Sequence, residues 1–139
     1  MRTVKMMAML ATLAVVGALV VGCSAAAKGG TVNATLTEMK IVLDRTSLPA
    51  GPVTFVVKNN GTMEHELVVI QTDLAEDKLP PDVEEPGKVD ETGNVGETGE
   101  VKVGESKTFT ITIPAGHYVI MCNEVGHYAA GMHLTFTVN

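Results

Sequence analysis

The 139-residue sequence has no tryptophan, two cysteines, four histidines, and ten lysines and arginines against sixteen acidic residues. Two cysteines permit one disulfide at most. No basic patch exists, so nothing in the charge pattern suits a nucleic-acid backbone. No strong helical period organises the chain after its N-terminal segment, and no internal repeat is present. The longest apolar run, residues 6–21, is broken by Thr12 and Gly17 and stops at Gly22-Cys23. It is too short and too abruptly ended for a membrane-spanning helix of ~20 residues.

What that run does fit is an export signal. Arg2 and Lys5 supply a basic start, the apolar stretch follows, and small residues precede the break. Val20-Val21-Gly22-Cys23 resembles the lipobox of bacterial lipoproteins, in which cleavage leaves the cysteine as an acylated N-terminus. The alternative is an ordinary signal peptide cut near residues 25–27. The expected organisation is a lipoprotein signal at 1–22, a lipidated tether at 23–30 and one folded domain at 31–139. Removing Arg2 and Lys5 leaves eight basic and sixteen acidic side chains, a formal −8. With Cys23 acylated, Cys122 is a lone thiol in an oxidising place, a liability unless something uses it. Metal ligation is the most common use.

The rest reads as β-structure. Residues 32–43 form a first strand region with imperfect alternation. Residues 48–52 turn the chain, and Val53, Phe55 and Val57 then share a face. Residues 59–61 (Asn-Asn-Gly) turn it again into a largely apolar strand at 65–71. Phe109, Ile111 and Ile113 alternate with outward threonines. Tyr118, Ile120 and Cys122 share one parity in the next strand, and Met132, Leu134, Phe136 and Val138 share one in the last. Strands separated by turns predict an all-β fold, a Greek-key antiparallel β-sandwich or barrel. Between them, residues 73–104 carry three prolines, four glycines before Gly104 and a heavy acidic load. This insert is expected to be an exposed, poorly ordered loop, with at most a short helix at 74–78.

Soft donors are concentrated in residues 121–133, Met-Cys-Asn-Glu-Val-Gly-His-Tyr-Ala-Ala-Gly-Met-His. Parity points Cys122 and Met132 into the sandwich and turns His117 and His133 toward solvent. The loop between crosses one end of the domain, and His127 can fold back over it. His65 shares parity with Leu67 and Val69; if that face is the inner one, its ring reaches the same end. Two imidazoles, a thiolate and a weak axial thioether define a blue-copper electron-transfer site. The set suits neither copper oxidation state fully, and a stiff β-frame holding an intermediate geometry needs little reorganisation when one electron moves.

From residue 53 to 139 the sequence resembles the cupredoxins, the plastocyanin, pseudoazurin, azurin and auracyanin group. Asn-Asn-Gly-Thr-Met-Glu-His-Glu-Leu-Val-Val (59–69) is similar to the segment carrying that family's first histidine ligand. Cys-Asn-Glu-Val-Gly-His-Tyr-Ala-Ala-Gly-Met (122–132) is similar to its ligand loop. The resemblance implies one type 1 copper ion held by His65, Cys122, His127 and Met132, and a backbone N–H of residue 66 reaching the cysteine sulfur. One departure stands out. Where much of the family has asparagine after the first histidine, this chain has Glu66, and asparagine instead follows the cysteine, as Asn123. A swapped tie is expected, with the Glu66 carboxylate accepting from Asn123 or its neighbours.

The function implied is a lipid-anchored, monomeric carrier of single electrons on the extracytoplasmic side, in the periplasm or at the cell surface. Its partners would be redox proteins such as c-type cytochromes or membrane oxidases. Copper storage or delivery is the alternative, and the absence of a methionine-rich tract argues against it. A self-contained enzyme is not expected. Copper oxidases and nitrite reductases of this superfamily place a histidine beside the cysteine ligand, whereas Met121 and Asn123 flank Cys122 here. A binuclear purple-copper site needs two cysteines in the loop. The acidic insert could steer a basic partner.

Overall fold

A computed structural model describes residues 28–139. The expected signal at 1–22, Cys23 and most of the tether lie outside the described residues. Nine strands build two facing sheets: β1 (Gly30–Thr37), β2 (Lys40–Leu43), β3 (Ser47–Leu48), β4 (Gly51–Asn59), β5 (Val68–Gln71), β6 (Asn94–Glu97), β7 (Ser106–Ile113), β8 (Gly116–Met121) and β9 (His133–Val138). One sheet has the order β2-β1-β4-β7, the other β3-β9-β8-β5-β6. The expected all-β sandwich is therefore present, and no helix occurs among the described residues.

Two details differ from the sequence reading. The first strand region is a hairpin, β1 paired antiparallel with β2 around Glu38 and Met39. Met39 takes a φ of 56° to turn it. The sandwich is also not wholly antiparallel, because β1 pairs parallel with β4 and β3 pairs parallel with β9. Parity cannot reveal strand direction, since inward and outward positions alternate the same way in both.

The core lies between the sheets. Val32 and Leu36 of β1, Val53, Phe55 and Val57 of β4, Tyr118 and Ile120 of β8 and Phe136 of β9 are buried there. Phe55 stacks on Phe109 of the neighbouring strand at 5.2 Å and meets Phe136 of the opposite sheet at 5.9 Å, tilted by 56°. Such offset or tilted contacts suit the ring quadrupole.

The insert is the main correction. It is neither loose nor helical: residues 74–78 form turns, and β6 adds an edge strand beside β5. Leu79 and Val89 come down on the outer face of the second sheet, where with Tyr128 they bury Val68, Ile70, Val119 and Met121. The physical reason is visible in β5 and β8. Both are apolar on both faces, as strands covered from both sides are. Left bare, that outer face would be an exposed apolar patch. Of the insert's apolar residues, Leu79 and Val89 seal the sheet, while Leu74, Val83 and Val103 stay exposed.

Candidate metal centre

Cys122 follows directly on β8, at the end of the core where β5 begins. Its backbone N–H donates to the Met132 carbonyl at 3.0 Å, so the two sulfur residues close a loop of eleven residues. Within that loop a tight turn forms. Ala130 N–H donates to Gly126 O at 3.0 Å, Gly131 N–H to Tyr128 O at 2.9 Å, and Met132 N–H to His127 O at 3.1 Å. Gly131, with φ of 97°, ends the turn where a side chain would be strained. These bonds fold His127 back over the end of the sandwich.

His65 comes from the connection between β4 and β5. Its backbone is bridged to Val101 of the insert in both directions, by N–H to Val101 O at 3.3 Å and from Val101 N–H at 2.6 Å. The preceding Asn59-Asn60-Gly61 turn is held by the fully buried Asn59. Its amide donates to Met63 O and Val101 O, both at 2.8 Å, and its oxygen accepts from Gly61 N–H at 2.9 Å. The last bond is an Asx-turn, the local chemistry asparagine favours.

Three donor atoms converge. His65 Nδ1 and His127 Nδ1 stand 3.2 Å apart, and Cys122 Sγ lies 3.3 Å from His127 Nδ1 and 3.9 Å from His65 Nδ1. His65, Cys122 and Met132 are completely buried, and His127 is 9% exposed. A point equidistant from three atoms so spaced lies about 2 Å from each, matching the ~2.0–2.3 Å bonds of imidazole and thiolate to a first-row divalent ion. Two ring nitrogens turned on each other at this range repel unless a proton or a cation sits between them. The arrangement fits a metal ion by chemistry as well as by size.

The site's electrostatics agree. Burial pushes the Cys122 thiol up to about 11, against N–H groups of Glu66 and Glu124 that pull it down. A metal therefore has to displace the thiol proton to gain a thiolate ligand. Burial, then the neighbouring His127, lowers His65, which favours the neutral ring that a metal ligand requires. The Glu66 N–H donates to Cys122 Sγ at 3.3 Å, as expected.

The swapped tie does not form. Asn123 turns away from Glu66 to the insert: it donates to Val89 O at 2.9 Å and Glu91 Oε1 at 2.8 Å, and accepts from Val89 N–H at 2.9 Å. The insert passes beside Asn123 and offers both the N–H and the carbonyl of Val89, which satisfies both ends of a buried amide. Glu66 is left half-buried near Glu124, Glu91 and Glu97, and burial followed by these charges raises it to about 7.

His117 and His133 are also less open than parity suggested. His117 Nδ1 donates to Thr72 O at 2.6 Å. The His133 ring packs on Tyr128 at 4.8 Å with its side chain 16% exposed, under the insert residue Glu76. Both sit on the face the insert covers.

Residues the sequence reading passed over complete the frame. Thr98 of the insert accepts from Leu67 N–H at 2.9 Å. Glu38, from the β1–β2 hairpin, accepts from Met63 N–H at 3.2 Å, from Thr62 Oγ1 at 3.1 Å and from Thr62 N–H. The Asx-turn at Asn59 had a local signal in Asn-Asn-Gly. Glu38, 24 residues from its partners, had none.

Comparison with solved structures gives the same fold. Auracyanin from Roseiflexus castenholzii superposes with a TM-score of 0.57 at 25% identity, covering 80% of this chain and 96% of the other. Auracyanin A from Chloroflexus aurantiacus, a blue copper protein, gives 0.58 at 26% identity, covering 80% and 99%. Rusticyanin from Thiobacillus ferrooxidans gives 0.59 at 22% identity, covering 78% and 77%, a likeness of fold alone. No curated protein sequence matches the chain. The fold is that of the cupredoxins, and the two-histidine, cysteine and methionine set is the donor chemistry of a type 1 copper centre. Residues 4–139 match the sulfocyanin (SoxE) domain, so this chain belongs to the sulfocyanin family, whose members are cupredoxin electron carriers and not enzymes.

Proposed function

We propose that His65, Cys122, His127 and Met132 hold one copper ion and that the chain carries single electrons between redox proteins outside the cytoplasm. The observation that carries this reading is the meeting of two Nδ1 atoms and one Sγ within 3.2–3.9 Å at a buried point. Copper bound there supplies a one-electron Cu(II)/Cu(I) couple. The protein's part is to keep the donors still. His65 is locked to Val101, Cys122 to the Met132 carbonyl, and His127 to the turn that Gly131 ends. A site held this way changes little when charge changes, which lowers the reorganisation an electron transfer requires. The Glu66 N–H pointing at Cys122 Sγ withdraws thiolate charge and orients the sulfur. Burial keeps water from the donors.

The exit for the electron is the edge of His127. Around it Val125, Ala129, Ala130 and Gly131 are exposed and carry no charge. A small apolar rim favours brief encounters of the redox type over tight complexes. A c-type cytochrome or a membrane oxidase suits such a contact. Acylation of Cys23 would hold the domain at a membrane surface by the tether at 23–30.

The test is an optical spectrum. Copper-loaded protein should show an intense thiolate-to-Cu(II) band in the visible that disappears on reduction and is missing from Cys122→Ser. Oxidised, copper-loaded protein without colour would overturn the assignment. Rapid surrender of copper to a chelating acceptor protein, in place of many redox cycles with the metal retained, would turn the function to copper delivery. Mass spectrometry of the membrane fraction tests the anchor: an unmodified Cys23 in the mature chain would sink it.

A further inference from the structure

His65 presents Nδ1 to the donor cluster, and its other ring nitrogen faces the opposite way. That nitrogen, Nε2, is fully buried and has no hydrogen-bond partner. A buried N–H left unpaired is costly, and the neutral ring must carry its proton on one nitrogen or the other. The Glu38 carboxylate stands nearest in charge, with Oε1 3.9 Å from Nε2. That separation is too long for a direct hydrogen bond and short enough for the charge to act on the ring, partly screened because the Glu38 side chain is 40% exposed.

Glu38 is not there by chance of rotamer. Its Oε1 is fastened by three donors of the His65 loop, namely Thr62 N–H, Thr62 Oγ1 and Met63 N–H. Gly61 leaves the room for it. A Cβ at position 61 would fall 2.5 Å from Glu38 Oε1 and 3.1 Å from His65 Nε2, so a side chain would sit between carboxylate and ring. The hairpin that presents Glu38 is itself set by Met39 at φ 56°, an unfavourable conformation for a residue with a side chain.

We propose that Glu38 is the positioning residue of the metal centre: its carboxylate, brought in from the β1–β2 hairpin, holds the proton of His65 on Nε2 and so keeps Nδ1 free and aimed at the metal. A ligand histidine commonly donates its second N–H to a carboxylate; here the carboxylate stands 3.9 Å from that nitrogen and acts through its charge. The negative charge then has a second consequence. It favours the more positive oxidation state of an ion on the far side of the ring, so it lowers the reduction potential. This inference rests on the copper reading for the potential, though the proton placement belongs to the metal-free protein as well.

Glu38→Gln separates the two duties of the side chain. The amide oxygen can still accept from Thr62 and Met63, while the charge is gone. In metal-free protein near pH 8, nitrogen-15 NMR should find the neutral His65 ring protonated on Nε2, and E38Q should raise the share protonated on Nδ1. With copper bound, E38Q should weaken Cu(II) relative to Cu(I) by roughly three- to tenfold, a rise in potential of up to about 59 mV for a one-electron couple. Glu38→Asp, which keeps the charge on a shorter arm, should recover part of both effects. Protonation of His65 on Nδ1 in the wild-type apoprotein would overturn the proposal. So would a potential and tautomer unmoved by E38Q alongside a loosened loop in Glu38→Ala, which would leave Glu38 a loop cap only. If copper binding itself fails, the apoprotein NMR still decides the role of Glu38.

Discussion

Asn123 and Val89 are joined at two points: the asparagine side chain donates to the valine carbonyl and accepts from its N–H, both at 2.9 Å. Asn123 is the neighbour of Cys122, and Val89 belongs to the acidic insert. Tyr128 repeats the fastening, its hydroxyl accepting from Leu79 N–H at 2.9 Å and donating to Glu76 O at 2.8 Å. Gly126 N–H adds a third tie to Gly87 O at 2.8 Å. The insert is thus a brace on the ligand loop, in addition to being the cover of the outer sheet face.

Removing one end of the brace should be felt in stability. Asn123→Ala leaves the buried Val89 N–H and carbonyl without partners, a cost of ~1–3 kcal/mol per group left unpaired. Chemical denaturation of the metal-free protein should show this loss, and amide exchange should accelerate in residues 122–131 ahead of the β4–β7 pair.

Tyr128→Phe deletes only the hydroxyl. The ring keeps its contact with His133, so the outer cluster stays packed, while Leu79 N–H and Glu76 O lose their partner. A destabilisation of ~1–3 kcal/mol is expected. An unchanged melting temperature would show that these groups find other partners.

The half-buried Glu66 makes the apoprotein sensitive to pH. Its folded pKa of about 7 lies above the ordinary value of 4.5. The folded state therefore holds the proton more tightly than the unfolded chain, and this contribution to stability is full below pH 4.5. It is lost as pH rises through about 7. Glu66→Gln should flatten that fall; thermal unfolding of the two metal-free proteins between pH 4 and 8 is the comparison. An identical pH profile would place Glu66 in water.

Copper uptake should release protons. With the Cys122 thiol at about 11, the sulfur is protonated at neutral pH, and binding as thiolate frees about one proton per ion. Calorimetry in buffers of different ionisation enthalpy counts it, and Cys122→Ser should abolish it. Binding should also raise the melting temperature; free copper at 100 times its Kd adds roughly 2.7 kcal/mol to the folded state.

Much of this molecule was legible in one dimension because β-structure has a period of two. The alternation in β4, β7 and β9 marked Phe55, Ile111 and Phe136 as inward, and the parity of Cys122 and Met132 aimed them at the core they occupy. Residues 73–104 defeated the same method. Their composition is that of a solvated loop, and the few apolar residues that matter, Leu79 and Val89, carry no period. The expected tie between Asn123 and Glu66 failed with it, since nothing in the order of residues 73–104 showed that Val89 and Glu91 would lie beside Asn123.

The amino-acid order by itself determined the main core strands, the all-β class and the donor types collected at one end, because pleating and ligand chemistry are properties of short segments. Only the tertiary structure decided which polar groups support those donors. Glu38, Val89 and Thr98 reach the site from other parts of the chain, and a hydrogen bond is set by distance in space after packing has chosen which surfaces meet.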